Sequence, residues 1–330
     1  MALGLRRLLQ TNGNAFSPPA DVLVDDEGVT VHLDVPGLDA DPAAGDPGLA
    51  RDSPAFNLVV VGDAGRLSRA GPLPPLRIIH CSVEPGRAVP RAGAVAVERA
   101  LRRECGDFTV SGERARLMLG EDHLARLDAI VAPLLAPGRP TVAWCRHAAA
   151  LPALGRLADA VVVDSDAGAF DAPAGPRVVD LAWLRTAPWR ERIAALFDPP
   201  AERSLIEAVR IRHHPVSERA AVLVLGWLSA RLGRLPGARA VEADAEVRAP
   251  GISRIGLSSG CGRSVVIERT RRGLRVFERP PDGPERRWTA AGPARGEGLI
   301  LAEGIRSALL PDSGFAAALT WSSDDLVDPA

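Results

Sequence analysis

Four short constellations in this 330-residue sequence contain residue types able to do chemistry. Gly256-Leu-Ser258-Ser-Gly260 fits the G-x-S-x-G pattern, in which a tight strand-to-helix turn presents a serine hydroxyl for attack. That geometry needs a helix directly after the serine. Here Cys261-Gly262-Arg263 leads into the apolar run Val265-Val266-Ile267, which reads as another strand, so the match is taken as coincidence. Cys145 and His147 stand two residues apart at the end of a predicted strand. Residues i and i+2 share a face there, so a thiol and a base could meet. No third group is placed to orient them, and a free cysteine is ordinarily a small buried hydrophobe. His213-His214 has no further histidine or acid at a metal-ligand spacing and reads as an exposed loop pair. Asp164-Ser165, closing Val161-Val162-Val163, has the form of the acidic end of a nucleotide-binding strand. The glycine-rich turn that should accompany it is present only in part, as Gly62-Asp-Ala-Gly65. No catalytic, cofactor-binding or metal-ligating set is therefore expected.

The densest stretch is Asp180-Leu-Ala-Trp183-Leu-Arg185-Thr-Ala-Pro188-Trp189-Arg190, in a chain whose aromatic content is only 4%. Tryptophan and arginine dominate the residues on which protein–protein binding depends most. Two readings follow. Either the tryptophans fill the seam between two domains with the arginines laid over them, or Trp183, Arg185, Trp189 and Arg190 form a partner- or anion-binding surface.

Composition narrows the classes further. With 46% hydrophobic and 25% charged residues the chain has the balance of a soluble globular protein. All 40 basic residues are arginine, which excludes a Schiff-base lysine and a P-loop lysine. The net charge of −1 gives no global field for nucleic acid. Charge is nevertheless uneven: Asp21 to Asp46 contains acids and no arginine, whereas Arg263 to Arg287 is dominated by arginine, and both read most simply as solvated surface. Cys81, Cys105, Cys145 and Cys261 share no metal-ligand spacing. The most apolar window, Ala220 to Ala230, is too short to cross a bilayer, and no signal-peptide pattern is visible, so a cytoplasmic location without membrane partners is expected.

The elements that must position these residues follow from hydrophobic periodicity. Leu58–Val61, Arg77–His80, Thr141–Trp144 and Ala160–Val163 are short apolar runs, as expected of strands buried on both faces. An amphipathic helix with Asp122 as its cap carries Leu124, Leu127, Ile130, Val131, Leu134 and Leu135, with Pro133 kinking it or marking its last turn. Phe108 to Leu119 suggests a hairpin about Ser111-Gly112. Pro188 opens a short helix that stops at Asp198-Pro199-Pro200. The second half reads as a strand over Leu205–Ile211, a helix over Ser217–Leu232 ended by Gly233, strands over Ile252–Leu257, Ser264–Glu268 and Leu274–Phe277, and closing helices over Leu299–Leu310 and Phe315–Trp321. The predicted class is α/β: a partly parallel, Rossmann-like N-terminal sheet domain, then a smaller α+β domain. Its divisions are a weakly ordered extension over 1–54, an α/β domain over 55–200 and an α+β domain over 201–330.

The block Trp183–Pro200 resembles the central signature of the OpcA proteins, bacterial factors that assemble or allosterically activate glucose-6-phosphate dehydrogenase. Other segments are similar in order and spacing: Phe56–Val61, Val131–Trp144, Asp159–Ser165 and Leu225–Gly233. The resemblance spans about 55–320 and implies a non-catalytic role, with the dehydrogenase as partner and a place in the oxidative pentose phosphate pathway. The chain departs from the family at Trp144-Cys145, where a second tryptophan is usual, and at the short Gly62–Pro75 stretch. The alternative reading is a sugar-phosphate- or nucleotide-binding α/β enzyme using the strand-end residues Asp164 and Cys145. Separately, Phe16–Val22 with Val29–Leu38 resembles the opening of an α-crystallin domain, without a visible continuation before Asn57.

Overall fold

The computed structural model describes residues 20–25, 28–33, 56–62, 77–84, 95–105, 108–168, 176–197, 206–233, 236–271, 273–291 and 296–321. The chain forms two units. The first holds Met1–Val163, Phe170–Val179 and Leu301–Leu309; the second holds Asp164–Ala169, Asp180–Ile300 and Leu310–Ala330.

Near the N-terminus, β1 (Ala20–Asp25) and β2 (Gly28–Leu33) pair antiparallel as a separate two-stranded sheet. Of the crystallin-like stretch, Ala20–Val22 lies in β1 and Val29–Leu33 in β2; the rest lies outside the described residues, as does the shortened segment beyond Gly62.

The first unit is built on a seven-stranded sheet of β3 (Asn57–Val61), β4 (Arg77–Glu84), β5 (Val95–Cys105), β6 (Phe108–Gly120), β7 (Thr141–Cys145), β8 (Ala160–Val163) and β9 (Arg177–Asp180), in the order β5-β6-β4-β3-β7-β8-β9. The five strands β6-β4-β3-β7-β8 run parallel and β5 is antiparallel to β6. Every residue of β3, β7 and β8 is buried, which explains their unbroken apolar runs: a parallel strand covered on both faces has no polar side to show. Asn57, fully buried at the head of β3, exchanges hydrogen bonds with the backbone of Ala136 (Nδ2 to its carbonyl oxygen 3.1 Å, its N–H to Oδ1 2.9 Å) and so ties the loop before β7 to the central strand.

Two local expectations are corrected. Phe108–Gly120 is one continuous strand, and the hairpin turn lies before it, where Cys105 pairs with Phe108. Gly112 stands opposite Leu101, beside the register shift between Glu98 and Leu101, so this glycine accompanies a bulge rather than a turn. The helix expected from Asp122 is instead a 3-10 stretch over Glu121–Arg126 capped by Gly120, a single α-turn α1 (Leu127–Val131), and a 3-10 turn over Ala132–Leu134. Pro133 lacks the N–H that would continue α1, so the element tightens where it stands. Helix α2 (Leu151–Leu157) completes the cover, with Leu124, Leu127, Val131 and Leu154 in the core against β3, β7 and β8.

The second unit begins with α3 (Leu181–Arg185) and α4 (Ala187–Leu196). It continues with β10 (Ile206–His213), α5 (Glu218–Leu232), β11 (Ala238–Ala243), β12 (Ile252–Ser259), β13 (Ser264–Thr270), β14 (Gly273–Arg279) and β15 (Arg286–Ala291). Helix α6 (Glu297–Ser307) follows, of which only Glu297–Ile300 belongs to this unit, and then α7 (Ser313–Leu319). Its sheet has the order β11-β10-β12-β13-β14-β15. Strands β10 and β11 are parallel, joined through α5; the remaining pairs are antiparallel. One face buries Val209, Ile211, Ile255, Leu257, Val265, Ile267 and Val276. Helix α5 is buried from Ala220 to Ser229 and ends at Gly233, whose φ of +66° is the left-handed conformation that closes a helix. Its Gly226 lies so near α7 that a Cβ would sit 2.5 Å from the Ala318 carbonyl oxygen, and this close approach fixes α7 against α5. Strands β1, β5, β9, β11 and β15 were not foreseen from sequence.

Candidate functional site

The Trp- and Arg-rich block is the α3–α4 corner. Asp180 ends β9 and caps α3: its Oδ1 accepts from the Ala182 N–H at 2.9 Å and the Ser165 N–H at 3.1 Å, while its Oδ2 accepts from the Ser165 hydroxyl at 2.5 Å. Thr186 alone links the two helices. Its hydroxyl donates to the Trp183 carbonyl at 2.6 Å and accepts from Arg190 Nε at 3.0 Å, and Pro188 occupies the first turn of α4.

Trp183 is 1% exposed and Trp189 5% exposed, so both are core residues. Trp183 donates from Nε1 to Asp312 Oδ2 at 2.7 Å, packs on Phe315 with ring centroids 5.8 Å apart, and carries the Arg190 guanidinium 3.4 Å above its ring. At the far end of α4, Arg263 lies over Phe197 at 4.7 Å, donates to the Leu196 carbonyl at 3.0 Å, and pairs with Glu278 at 2.7 Å.

Arg185 lies two positions beyond Trp183, about 200° around the helix, and points elsewhere. It forks onto Asp164 (2.6 and 2.8 Å) and onto Glu297 (3.0 and 2.6 Å), with Asp166 at 3.7 Å. Burial alone would lower its pKa, but the bonds to Asp164 and Glu297 outweigh this and raise it. Asp166, with its side chain 9% exposed, accepts from the Ala220 N–H that opens α5 at 3.2 Å. Burial is the main reason its carboxyl is pushed up to about 6, partly offset by Arg185. Burial also raises Asp180, against the bonds it accepts from Ser165. Acids thus outnumber the single guanidinium. Asp164 and Asp180 were noticed in sequence for other reasons, while Asp166, Glu297 and Asp312 went unnoticed. The doublet Asp164-x-Asp166 after an apolar strand was the only local signal.

Beside this cluster is a cavity of about 240 Å³ bounded by Trp189, Ile300, Thr270, Glu297, Arg185 and Arg269. Arg269 donates to the carbonyls of Ala249 and Pro250, both at 2.6 Å. No cysteine or histidine lines it.

The other candidates are engaged locally. Cys145 is buried, its thiol donates to the His147 backbone carbonyl at 3.1 Å, and burial pushes its pKa up to about 11, far from the thiolate a nucleophile needs. Asp164 is occupied by Arg185. His213, expected in an exposed loop, is buried at the end of β10 with Nδ1 2.8 Å from the His214 carbonyl, and His214 Nδ1 accepts from Val216 N–H. Ser258 is followed by a turn at Gly262 (φ +88°) and then β13, so no nucleophile elbow forms. Among the described residues no group of three His, Cys, Asp or Glu is arranged to hold a metal ion, and no helix is long and apolar enough to cross a membrane.

Fold and site together define a two-unit α/β protein whose polar clusters brace helix corners. Residues 69–178 match the family described as the glucose-6-phosphate dehydrogenase subunit N-terminal domain, and residues 176–319 match the C-terminal domain of the same subunit. The chain belongs to this glucose-6-phosphate dehydrogenase subunit family, OpcA. A search of curated proteins found no match.

Proposed function

We propose that this chain is a non-catalytic assembly factor and allosteric activator of glucose-6-phosphate dehydrogenase, acting in the cytoplasm in the oxidative pentose phosphate pathway. The observation that carries the reading is the match of both family domains, in order, over residues 69–319. An activator of this kind must bind the active form of the dehydrogenase more tightly than the inactive form, because equal affinity shifts nothing.

On this reading Trp183 and Trp189 serve the interface from behind. They hold the α3–α4 corner rigid, and the outer edges of Arg185 and Arg190 contribute to the partner-binding surface. The test is a titration of the host's purified dehydrogenase with this protein. A saturable rise in rate or a lower apparent KM is expected; no change in rate together with no co-elution refutes the proposal. Arg185→Ala and Arg190→Ala variants that remain folded by circular dichroism should bind more weakly. If they bind as wild type, the corner is not part of the surface.

A further inference from the structure

The outer face of the second unit's sheet carries charge and open space that its own stability does not call for. Cross-strand register places Arg210, Arg212, Arg254, Arg275, Arg279 and Arg287 on one side, away from the core residues Ile255, Ile267 and Val276. Three acids accompany them. Glu242 is shared by Arg210 and Arg212 at 3.2 Å each, Glu268 lies 3.5 Å from Arg254, and Glu285 at the rim is 3.3 Å from Arg279 and 3.5 Å from Arg287. A surplus of three positive charges remains on a face whose Arg210, Arg279 and Arg287 side chains are 66%, 68% and 65% exposed.

Two details cut against a purely structural origin. Arg212 and Arg254 are direct cross-strand partners, like charges set opposite one another with an acid, Glu242 or Glu268, needed beside each. Gly256 sits mid-strand between Arg210 and Val266, where glycine weakens pairing. Its backbone is not left-handed, and the nearest neighbour to a Cβ there would be the Arg210 carbonyl oxygen at an ordinary 3.9 Å. Neither conformation nor packing within the sheet requires the glycine. What it does is leave open the floor of a groove of about 420 Å³, bordered by Arg210, Arg212 and Arg254 and continued by Ser258 and Ser264.

We infer that this groove is the docking surface for an acidic surface segment of the dehydrogenase, its carboxylates meeting the arginine rim and its backbone approaching the side-chain-free floor at Gly256. The inference rests on the proposed function and adds to it a surface distinct from the α3–α4 corner. Excess arginine on one face speeds encounter with an acidic partner and makes the association salt-sensitive. Arginine is also the cation whose planar fork pairs with carboxylates two bonds at a time.

The experiment measures binding of the full chain to the purified dehydrogenase by biolayer interferometry at low and high salt. The variants are Arg210→Gln with Arg254→Gln, and separately Gly256→Thr. The double variant should bind about tenfold more weakly at low salt and lose much of its salt dependence. Gly256→Thr should melt at the same temperature as wild type or higher, since threonine suits a strand, and yet bind more weakly because the floor is filled. If wild type binds and both variants bind equally well at every salt concentration, the groove is not the docking surface and the proposed function stands. If wild type shows no binding at all, the proposed function fails and the inference fails with it.

Discussion

Replacing Asp166 by asparagine should make this protein more stable at neutral and alkaline pH and leave it almost unchanged in acid. The carboxyl has its pKa raised from 3.8 to about 6, chiefly by burial, with Asp164 and Asp180 adding to the rise and Arg185 opposing it. A carboxyl whose folded pKa exceeds its unfolded value binds more protons in the native state, so stability falls as pH rises between the two values. The penalty is absent below about pH 4 and fully present above about pH 7. A shift of this size corresponds to at most about 3 kcal/mol, and the expected figure is about 1–3 kcal/mol. Asparagine keeps an oxygen to accept the Ala220 N–H, so the start of α5 loses nothing. Arg185 keeps its forked bonds to Asp164 and Glu297.

Thermal unfolding of wild type and Asp166→Asn from pH 4.5 to 8.5 tests this. At pH 8 the variant should melt several degrees higher, at about 2–4 °C per kcal/mol for a unit of this size. The difference should shrink towards zero as pH falls through 6. Asp180 also has a raised pKa, and because its charge helps to raise Asp166, removing the Asp166 carboxylate eases Asp180 too and acts in the same direction. A variant that melts lower than wild type at pH 8, or a gap that stays constant with pH, would mean that Asp166 is held as a favourable anion and that the argument from burial is mistaken.

Two further outcomes are expected. Arg185→Ala strands Asp164 and Asp166, whose side chains are 6% and 9% exposed, without their cation, and should destabilise the protein by about 3–5 kcal/mol at pH 7.5. Because protonation relieves stranded carboxylates, much of that loss should be recovered near pH 5 in urea titrations; a loss independent of pH would point to packing instead. Among Cys81, Cys145 and Cys261, only Cys261 is exposed, and a hydrogen bond from Ser259 lowers its thiol pKa, whereas burial raises the other two. Iodoacetamide at pH 7.5 should therefore modify Cys261 before Cys81 or Cys145 in the native protein, as read by peptide mass spectrometry; earlier labelling of Cys145 would overturn its assignment as a buried neutral thiol.

What was legible in the sequence is what short-range periodicity encodes. Runs such as Leu58–Val61 and Ala160–Val163 announce buried parallel strands, and the stripe from Ala220 to Leu232 with Gly233 behind it announces α5. Strand β11, Ala-Arg-Ala-Val-Glu-Ala, escaped notice because alanine and charged residues have weak strand preference, and pairing to β10 alone decides its conformation. Gly112 was misread because a glycine at a bulge and a glycine at a turn look alike in one dimension. The Arg185 cluster left only the doublet Asp164-x-Asp166 as a local signal. Its members come from the loop after β8, the end of β9, α3 and the start of α6, and only the folded chain brings them to one guanidinium.

The tryptophan–arginine block poses a sharper question, because its composition is that of an interface and its position is that of a core. A single residue, Thr186, joins α3 to α4, so the angle between them is set by whatever fills the corner. Trp183 is fixed by the Asp312 hydrogen bond, by Phe315 and by the overlying Arg190, leaving one arrangement. Residue types that make good interface anchors make good corner braces for the same reason: large area, few rotatable bonds and a polar handle. In the described part of the first unit, buried polar groups such as Asn57 and Arg77 are satisfied, with Trp144 Nε1 the exception. The second unit departs from self-interest three times: an anion held at Asp166 against its environment, like charges opposed at Arg212 and Arg254, and a strand weakened at Gly256. Sequences tolerate such local conflicts where something besides folding is being served. If the chain acts as proposed, the Arg185 cluster and the open sheet face are where such conflicts would serve recognition.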